Sequence, residues 1–414
     1  MPSTGKEATA TKVRELHTSR PLWAATRQIT VTYAKTPARR DYDVIIVGAG
    51  ISGSLCAQAF ANGKRSVLVV DRREPVRGST LASTAMIQHE IDVPLHQLVK
   101  TIGSEKANRA WHRSIQAVSA LVNLAQSLKI PCSMERKKAL YLAGDEYGVR
   151  AFKKEIGARN DAKIEADFCD AARLFADFGI ERSGAIISSM SASANPAQLA
   201  VGMLKAAVTN GAELVSPVWI TDFQETNEGV VLATSDGQLL TGEHVIFASG
   251  YEFLREIESK SHQVISTWAL ASAPATIYPS WINDFLVWEA SDPYLYFRAT
   301  PDGRIIAGGE DEADPLAHKD VAKGRRKVKV IAEKLQALTG VEIGKPAYTW
   351  AAPFGTTNTG LPFIDTLADH KHVHAVMGFG GNGITFSMIA AQILTSLVEG
   401  RPDPDRDLFR FPSR

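Results

Sequence analysis

The stretch Asp43-Val-Ile-Ile-Val-Gly-Ala-Gly-Ile-Ser-Gly53 decides the fold of this chain. Four apolar residues, 44–47, predict a short buried strand, and a helical pattern runs from 54 to 63 after the glycines. A second apolar strand, 66–70, then ends on Asp71, near the spacing of ~20 residues expected between such glycines and an acid. Strand, glycine turn, helix, strand and acid together predict a dinucleotide-binding site.

Each glycine of this motif has a physical reason. Gly48 allows the tight turn, Gly50 lets the backbone approach a pyrophosphate, and Gly53 lets the helix pack closely on the strand. The N-terminus of the helix offers N–H groups and a positive dipole end to phosphates. Asp71 is placed to accept hydrogen bonds from ribose hydroxyls. A glycine-rich turn without a ligand would leave that acid unexplained.

Composition narrows the class of protein. The chain has 414 residues, enough for two or three domain-sized units, and is 45% hydrophobic and 22% charged. A net charge of +1 gives no reason to expect nucleic acid or an anionic membrane as a partner. No apolar run approaches the ~20 residues that span a bilayer, so we expect no membrane span.

The N-terminus and the cysteines bear on the cellular compartment. Residues 1–40 lack a continuous apolar signal core, and we interpret them as an extension without chemistry. Cys56, Cys132 and Cys169 are scattered and match no metal-ligand spacing, which is typical of reduced thiols. These features predict a cytoplasmic protein.

A second glycine loop lies near the other end of the sequence. An apolar strand, 373–377, leads into Gly378-Phe-Gly-Gly-Asn-Gly-Ile-Thr385, and a helix then continues to about Glu399. Strand, glycine loop and helix N-terminus repeat the opening arrangement and again predict a ligand site.

The two glycine motifs together resemble one family, the D-amino-acid oxidase, glycine oxidase and sarcosine oxidase group of FAD-dependent oxidoreductases. Four blocks carry the resemblance, which covers roughly residues 40 to 400. They are 47–53 with Asp71, 77–86, 245–250 and 378–387. The resemblance implies an α/β (α+β) fold, with a Rossmann-like FAD/NAD(P)-binding domain and a mixed β-sheet substrate domain.

We assign domain boundaries on this basis. The predicted segments are an N-terminal extension at 1–40; a discontinuous FAD-binding domain at 41–100, 185–255 and 346–400; a substrate-binding domain at 101–184 and 256–345; and a tail at 401–414.

The resemblance also implies which residues contact FAD. Gly48 to Gly53 would hold the pyrophosphate, Asp71 the adenosine ribose, and the last glycine loop would place a helix dipole near the flavin pyrimidine ring. The complete predicted set is Gly48, Gly50, Ile51, Ser52, Gly53, Asp71, Arg72, Ser79, Thr80, Ser83, Thr84, Ala85, Met86, Val218, Ala248, Gly250, Gly380, Gly381, Asn382, Gly383, Ile384 and Thr385.

Covalent attachment of FAD is not expected. Some relatives use a His in the block after the ribose acid, where this chain has Ala82. Sarcosine oxidases use a Cys near the block that begins here at Trp350, where this chain reads Ala351-Ala-Pro353 without a nucleophile. His89 lies a little further on and leaves an alternative open, but the preferred prediction is non-covalent FAD.

The family chemistry is hydride transfer to flavin N5 from a carbon beside an amine nitrogen. Arg298 resembles a substrate arginine and is predicted to bind a carboxylate, against the alternative of a surface ion pair. Tyr296 and Trp350 are candidates to wall the pocket, or ordinary core residues. Gln88 and His89 are candidates to face the flavin, with His89 as a catalytic base or simply a partner in a loop hydrogen bond.

The second arginine of the family is missing, because Phe354 stands at its position. This difference favours an amine or an N-substituted amino acid as the small-molecule substrate, with oxygen or a carrier as electron acceptor. Two alternatives stay open: an FAD-dependent dehydrogenase of an alcohol or hydroxy acid, and a non-catalytic FAD-binding subunit. His370, His372 and His374 suggest a metal by spacing alone, but no completing ligands follow, so no metal is predicted.

Overall fold

The computed structural model describes residues 10–26, 30–255, 257 and 262–411. Their strands, numbered along the chain, are β1 (Asp41–Val47), β2 (Val67–Val70), β3 (Met86–Ile87), β4 (Glu135–Leu142), β5 (Asp167–Asp170), β6 (Gly184–Ser193), β7 (Glu213–Val215), β8 (Ile220–Glu225), β9 (Val230–Thr234), β10 (Leu239–Phe247), β11 (His262–Ala271), β12 (Phe285–Glu289), β13 (Leu295–Ala299), β14 (Ile305–Glu312), β15 (Tyr348–Thr357), β16 (Phe363–Thr366) and β17 (Val373–Met377).

Their α-helices, numbered in the same way, are α1 (Leu22–Ala25), α2 (Ile51–Phe60), α3 (Leu95–Ile102), α4 (Ser104–Ser127), α5 (Val149–Asp161), α6 (Ala171–Phe178), α7 (Pro196–Thr209), α8 (Val321–Thr339) and α9 (Gly383–Val398). Short 3₁₀ turns connect several of these elements, and the one at Ser79–Ala82 lies beside the candidate site.

The first sheet has the strand order β16-β17-β10-β1-β2-β7. In addition, β9 pairs with β10, and β8 pairs with β9. Its centre is parallel: Val44 on β1 pairs with Val67 on β2 and with His244 on β10. Because strands buried on both faces need apolar side chains on both, β2 reads as an uninterrupted apolar run. Helices α2, α7 and α9 pack together on one face, in the arrangement that the opening motif predicts.

The second sheet is mixed, as predicted, with the order β15-β11-β14-β13-β12-β4-β6-β3 and β5 beside β6. Strands β4 and β12 run parallel, so Tyr141 faces Trp288 across the ladder. The two rings stack with centroids 3.7 Å apart. Helix α8 covers this sheet with Ile331, Leu335 and Leu338.

The structure differs from the predicted domain boundaries at three strands. The segments 41–100, 185–255 and 346–400 assign β3, β6 and β15 to the FAD-binding domain, but these strands pair within the second sheet. The glycine motifs predict which segments form the first sheet, but they do not predict where the chain passes from one sheet to the other. All ten residues of β15 pair with β11, so the boundary between the two domains follows strand pairing and not the position of the motifs.

Three local predictions also need correction. The apolar residues of 215–223 predict one strand, but the structure has two, since Pro217 between them has no N–H for a ladder bond. The helical period of 319–339 predicts that Val321 points inward, but it is 69% exposed. Residues within 1–40 do more than cover the surface, because Leu22 and Trp23 on α1 are buried in the main core.

One helical stretch, Gly380–Val398, is long and apolar enough to cross a membrane by length and composition. The sequence reading missed it because glycine, threonine and serine interrupt the apolar run. In the fold, 61% of this stretch is buried, and α9 packs between α2 and α4 as a core helix.

Candidate active site

A cavity of about 780 Å³ lies between the two sheets, and both contribute to its wall. The predicted residues that line it are Gly48, Gly50, Ile51, Ser52, Asp71, Arg72, Ser79, Thr80, Ser83, Thr84, Met86, Gln88, Val218, Ala248, Gly250, Tyr296, Gly380, Gly381, Gly383 and Ile384. The predicted residues that do not line it are Gly53, Ala85, His89, Arg298, Asn382 and Thr385.

The glycine turn after β1 is sterically constrained at two positions. Gly48 has φ +120°, and a Cβ there would lie 2.4 Å from the carbonyl oxygen of Ala248. A Cβ on Gly53 would lie 1.7 Å from the carbonyl oxygen of Gly48. Only glycine fits either position, so Gly53 contributes through close packing. Gly50 lines the cavity and gives α2 no side-chain cap, so the helix N-terminus faces the cavity with only the N–H of Ile51 bound by a side chain, that of Thr80.

The acid after β2 is held by backbone donors. Asp71 accepts hydrogen bonds from the N–H groups of Ala49 (2.7 Å) and Arg73 (2.8 Å). Burial raises the pKa of its carboxyl, against the lowering effect of these two donors. Asp71 therefore fixes the glycine turn while lining the cavity beside it.

Glu252 is a residue of this region that sequence reasoning missed. It accepts from Arg73 at 2.8 Å and forms an ion pair with Arg72, whose guanidinium also lies 5.2 Å over the ring of Trp219. Both arginines are thus engaged by protein groups at this end of the cavity. The sequence could not predict this contact, because Glu252 is about 180 residues away from both arginines along the chain.

The hydroxyl-rich loop after β2 lines the cavity as predicted. Thr80 Oγ1 accepts from the N–H of Ile51 at 3.0 Å, which ties the loop to the start of α2. Ser79 Oγ is buried and has no hydrogen-bond partner among the described residues. Gly250 lies near it with φ +61°, and a Cβ there would meet nothing closer than Ser79 Oγ at 3.9 Å. An orphaned hydroxyl beside open space fits a ligand oxygen.

The glycine loop before α9 divides its residues between two tasks. Gly380, Gly381, Gly383 and Ile384 line the cavity. Asn382 and Thr385 face away and hold the neighbouring 88–92 segment. Asn382 Nδ2 donates to the carbonyl oxygen of Glu90 at 2.7 Å, and Thr385 Oγ1 donates to that of Gln88 at 2.8 Å.

Asp92, two residues beyond the Gln88-His89-Glu90 segment singled out from the sequence, also lines the cavity. Its carboxylate accepts from the N–H of Gly381 at 2.8 Å. Burial raises the pKa of Asp92 to about 6, over the opposing effect of that hydrogen bond. Sequence reasoning stopped just short of it, because nothing local distinguishes this Asp from any other loop acid.

His89 is not at the cavity. It is fully buried, its Nδ1 lies 3.2 Å from the carbonyl oxygen of Met190, and its ring packs edge-on against Trp111. Burial lowers the pKa of His89. The alternative of a loop hydrogen bond describes this geometry, and the structure places no catalytic base here.

Arg298 is the main correction to the predicted site. It shares a strand face with Tyr296, but the loop after β2 lies between its guanidinium and the cavity. Its Nε donates to the carbonyl oxygen of Thr84 at 2.7 Å and its Nη2 to that of Ala194 at 3.0 Å. The side chain is 2% exposed and is used to hold the protein together, so it does not reach a substrate carboxylate.

The second sheet supplies an aromatic and acidic wall. Tyr141, Trp288, Tyr294 and Tyr296 line this part of the cavity together with Phe354. Trp350 does not line it; its Nε1 donates to the carbonyl oxygen of Ala82 at 2.9 Å.

Asp311 on β14 is the acid of this wall. Burial raises its pKa to about 6, and repulsion from Asp92 and Asp292 adds to the increase. Its Oδ1 is buried with no hydrogen-bond partner among the described residues. Hydrogen bonds with Thr267 and Tyr294 oppose this increase in pKa and compensate the carboxylate only in part. A cation bound beside Asp311 would stabilise its charged form further.

Cationic side chains are restricted to the other end. Among the described residues that line the cavity, Arg72 and Arg73 are the only Arg or Lys residues, and Glu252 pairs with both. The wall around Asp92 and Asp311 thus has negative charge and aromatic rings, and no Arg or Lys among the described lining residues can pair there with a carboxylate.

The residues present fit FAD. The glycine turn, the N-terminus of α2 and the orphaned Ser79 hydroxyl suit a pyrophosphate, and the loop before α9 gives a second helix N-terminus. No His or Cys is found among the described residues that line the cavity. Burial raises the pKa of Cys56 to about 12, which keeps that thiol protonated on α2.

The histidines near β17 form a structural cluster. His374 packs between Thr366 at 3.0 Å and His244 at 3.1 Å, and His370 lies 3.1 Å from Glu225. Burial lowers the pKa of His374 to about 3. The described residues contain no group of three or more ligands suited to a metal ion.

Comparison with known proteins shows which family has this architecture. A family model described as "DAO: FAD dependent oxidoreductase" matches residues 43–397. The chain belongs to this family. It is an FAD-dependent oxidoreductase, and the resemblance seen in the four sequence blocks is confirmed.

Individual relatives are distant. The probable oxidoreductase OrdL of Haemophilus influenzae is 21% identical over 370 residues, covering 86% of this chain and 83% of the relative. The crystal structure of glycine oxidase from Geobacillus kaustophilus has a TM-score of 0.73 and 18% identity, covering 88% of this chain and 96% of that one. L-α-glycerophosphate oxidase from Mycoplasma pneumoniae, with FAD bound, has a TM-score of 0.72 and 13% identity, covering 91% and 100%. These structures share the fold, at identities too low to transfer a substrate.

Proposed function

We propose that this FAD-dependent oxidoreductase oxidises a C–N bond of an amine that binds as a cation. The observation that supports this is the wall formed by Asp92, Asp311 and the aromatic side chains, which lacks an Arg or Lys. A substrate carboxylate would meet like charge there, so an amine is favoured over an N-substituted amino acid. Phe354 lines the cavity where the family resemblance expects an arginine, which agrees with this choice.

The residues of the wall have definite tasks in such a reaction. FAD, when bound, supplies the acceptor for a hydride from the carbon beside nitrogen. A bound ammonium must lose a proton before its nitrogen lone pair can assist that transfer. Asp92 and Asp311 attract the cation, and a carboxylate whose pKa is about 6 can accept the proton. Tyr294, Tyr296 and Phe354 orient the substrate and exclude water.

We propose that FAD is bound without a covalent link. The support is the lack of His and Cys among the described cavity-lining residues. Precipitating the holoprotein with acid should release all of the flavin into the supernatant. Flavin that stays with the precipitate after washing would contradict non-covalent binding.

An anaerobic titration tests the reaction. The oxidised flavin band should be bleached by primary or secondary amines and not by D-amino acids, L-amino acids or hydroxy acids of matched size. Bleaching by hydroxy acids alone would overturn the proposal in favour of an alcohol dehydrogenase. A flavin that no compound bleaches would favour the non-catalytic role. Admitting air to the reduced protein then distinguishes oxygen from a carrier as the acceptor.

A further inference from the structure

We infer that the preferred substrate carries two positive charges, as an elongated diamine or polyamine, with its second nitrogen held by Glu146 and Asp292. This inference rests on the proposed amine oxidation. It assigns a second cation subsite at the mouth of the cavity, in addition to the inner subsite at Asp92 and Asp311.

The two outer acids lie on neighbouring turns. Strands β4 and β12 are parallel and end at the same edge of the second sheet, so the turns that follow them are adjacent. Ala290 joins the turns, because its carbonyl oxygen accepts from the N–H groups of Glu146 (3.0 Å) and Tyr147 (3.2 Å). Asp292 follows two residues later and, like Glu146, is exposed and lines the cavity.

The outer acids connect to the inner ones along the wall. Asp292 lies two residues before Tyr294, which also lines the cavity and immediately precedes β13. Repulsion from Asp292 and from Asp92 acts on Asp311, so the three carboxylates are neighbours within one cavity. The acids therefore form a row from the mouth to the inner wall.

This row is distinct from the other acids near the cavity, which are neutralised by the protein. Glu289 pairs with Arg182 at 2.9 Å, and Glu90 pairs with Arg159 at 3.0 Å. No ion pair with a Lys or Arg joins Glu146, Asp292, Asp311 or Asp92 among the described residues. The buried, unpartnered Oδ1 of Asp311 is an independent sign that a ligand donor is expected in this row.

Aromatic rings fill the space between the two subsites. The Tyr141–Trp288 stack lies on the strands that lead to Glu146 and Asp292, and both rings line the cavity. Such a wall suits the methylene chain of a diamine, while its faces also favour cationic nitrogen. A monoamine would fill only one subsite, and an amino acid would place its carboxylate against acids.

Three compounds with the same four-carbon chain test this inference: butylamine, putrescine and γ-aminobutyrate. In anaerobic reduction of the holoenzyme, we expect the second-order rate constant of flavin reduction to be about tenfold or more higher for putrescine than for butylamine, with γ-aminobutyrate last. A tenfold ratio corresponds to one modest charge interaction. Equal values for butylamine and putrescine would overturn the second subsite while leaving amine oxidation intact.

The double variant Glu146→Gln with Asp292→Asn locates the subsite. In turnover with an electron acceptor present, we expect KM for putrescine to rise about tenfold with little change in kcat, and KM for butylamine to change much less. Asp145→Asn is the matched control, because Asp145 lies on the same turn but does not line the cavity. Its side chain accepts from the N–H of Asp292 at 3.1 Å, and an Asn oxygen can do the same. A putrescine preference that survives in the double variant would sink the assignment.

Thermal stabilisation separates binding from turnover. Putrescine should raise the melting temperature of the holoenzyme more than butylamine does, and the double variant should lose the difference. If putrescine stabilises the protein but no amine bleaches the flavin, the subsite stands and the proposed reaction fails. If putrescine neither stabilises the protein nor reduces the flavin, both are wrong.

Discussion

Asp92 shows how one side chain connects the cofactor loop to the substrate wall. Its carboxylate accepts from the N–H of Gly381 at the start of α9 and faces the same cavity as Asp311. Both carboxyls have a pKa of about 6, because burial disfavours the charged form. Each is therefore ionised above that pH and neutral below it. Attraction of a cationic amine should follow this ionisation.

We expect kcat/KM for an amine to fall as pH drops below about 6, by up to about tenfold per unit for each group. Asp92→Asn should lower kcat/KM at pH 8 about ten- to a hundredfold, since it removes one of the two carboxylates that attract the amine on this wall of the cavity. It should also make the acid limb less steep. Steady-state pH profiles of wild type and variant provide the measurement.

Two features make the Asp92 experiment interpretable. An Asn at this position can still accept from the N–H of Gly381, so the loop should keep its shape. Asp161→Asn, at an exposed position at the end of α5, serves as the control for a change in net charge. An acid limb of the same slope in the Asp92 variant would assign the titration to another group.

Arg298 shows where local sequence reasoning reaches its limit. Its strand, and its place on the same face as Tyr296, follow from the period of two. The pattern does not reveal that Thr84 and Ala194 place their carbonyl oxygens over that end of the strand. For a related reason the sequence does not predict Asp311, Trp288 and Glu252 as site residues. Only the tertiary structure brings them to the cavity.

At the scale of elements, the 88–92 segment depends on α9. Asn382 is 3% exposed, and its donation to the carbonyl oxygen of Glu90 is a buried contact between distant parts of the chain. Thr385 makes the equivalent contact one helical turn later. The position of Asp92 is thus set by a helix almost 300 residues away in the sequence.

Asn382→Ala should lower the free energy of unfolding by about 1–3 kcal/mol, because the carbonyl oxygen of Glu90 is left buried without its donor. KM for the amine should rise as well, since Asp92 loses its support. Urea denaturation and steady-state kinetics measure the two effects. Asn160→Ala, on the exposed face of α5, is the control and should change stability by less than about 0.5 kcal/mol. Equal effects of the two variants would show that the contact contributes nothing.

Helices and strands could be predicted where the residues that determine them are close together in the sequence. The β1–α2–β2 unit and the α9 loop follow from glycine spacing and apolar period. In the same way, Asn195 followed by Pro196 predicts the start of α7, because Asn is a favoured cap and Pro a favoured first helical residue. Asn195 accepts from two N–H groups of the first turn of α7, as the cap predicts. The assignment of β6 and β15 to a sheet was not local, because it depends on which distant strand lies alongside.

At the scale of the whole molecule, the cavity is shared by both sheets, so a ligand that fills it stabilises both. FAD should raise the melting temperature of the apoprotein by several degrees, and the increase should grow with free FAD concentration. Differential scanning fluorimetry with added FAD measures it. Riboflavin, which lacks the adenosine diphosphate half, is the matched control and should have a much smaller effect. Equal shifts would mean that the glycine turn after β1 contributes no binding energy.

The parallel centre of the first sheet has a kinetic consequence. β1 pairs with a strand about 200 residues away, and β10 pairs in turn with β17, more than 100 residues further on. Such a high contact order makes folding slow, since large loops must close before these pairings form. The two glycine motifs meet only when those closures are complete. Newly made chains therefore bind FAD only after both closures, so cofactor binding is a late step of maturation.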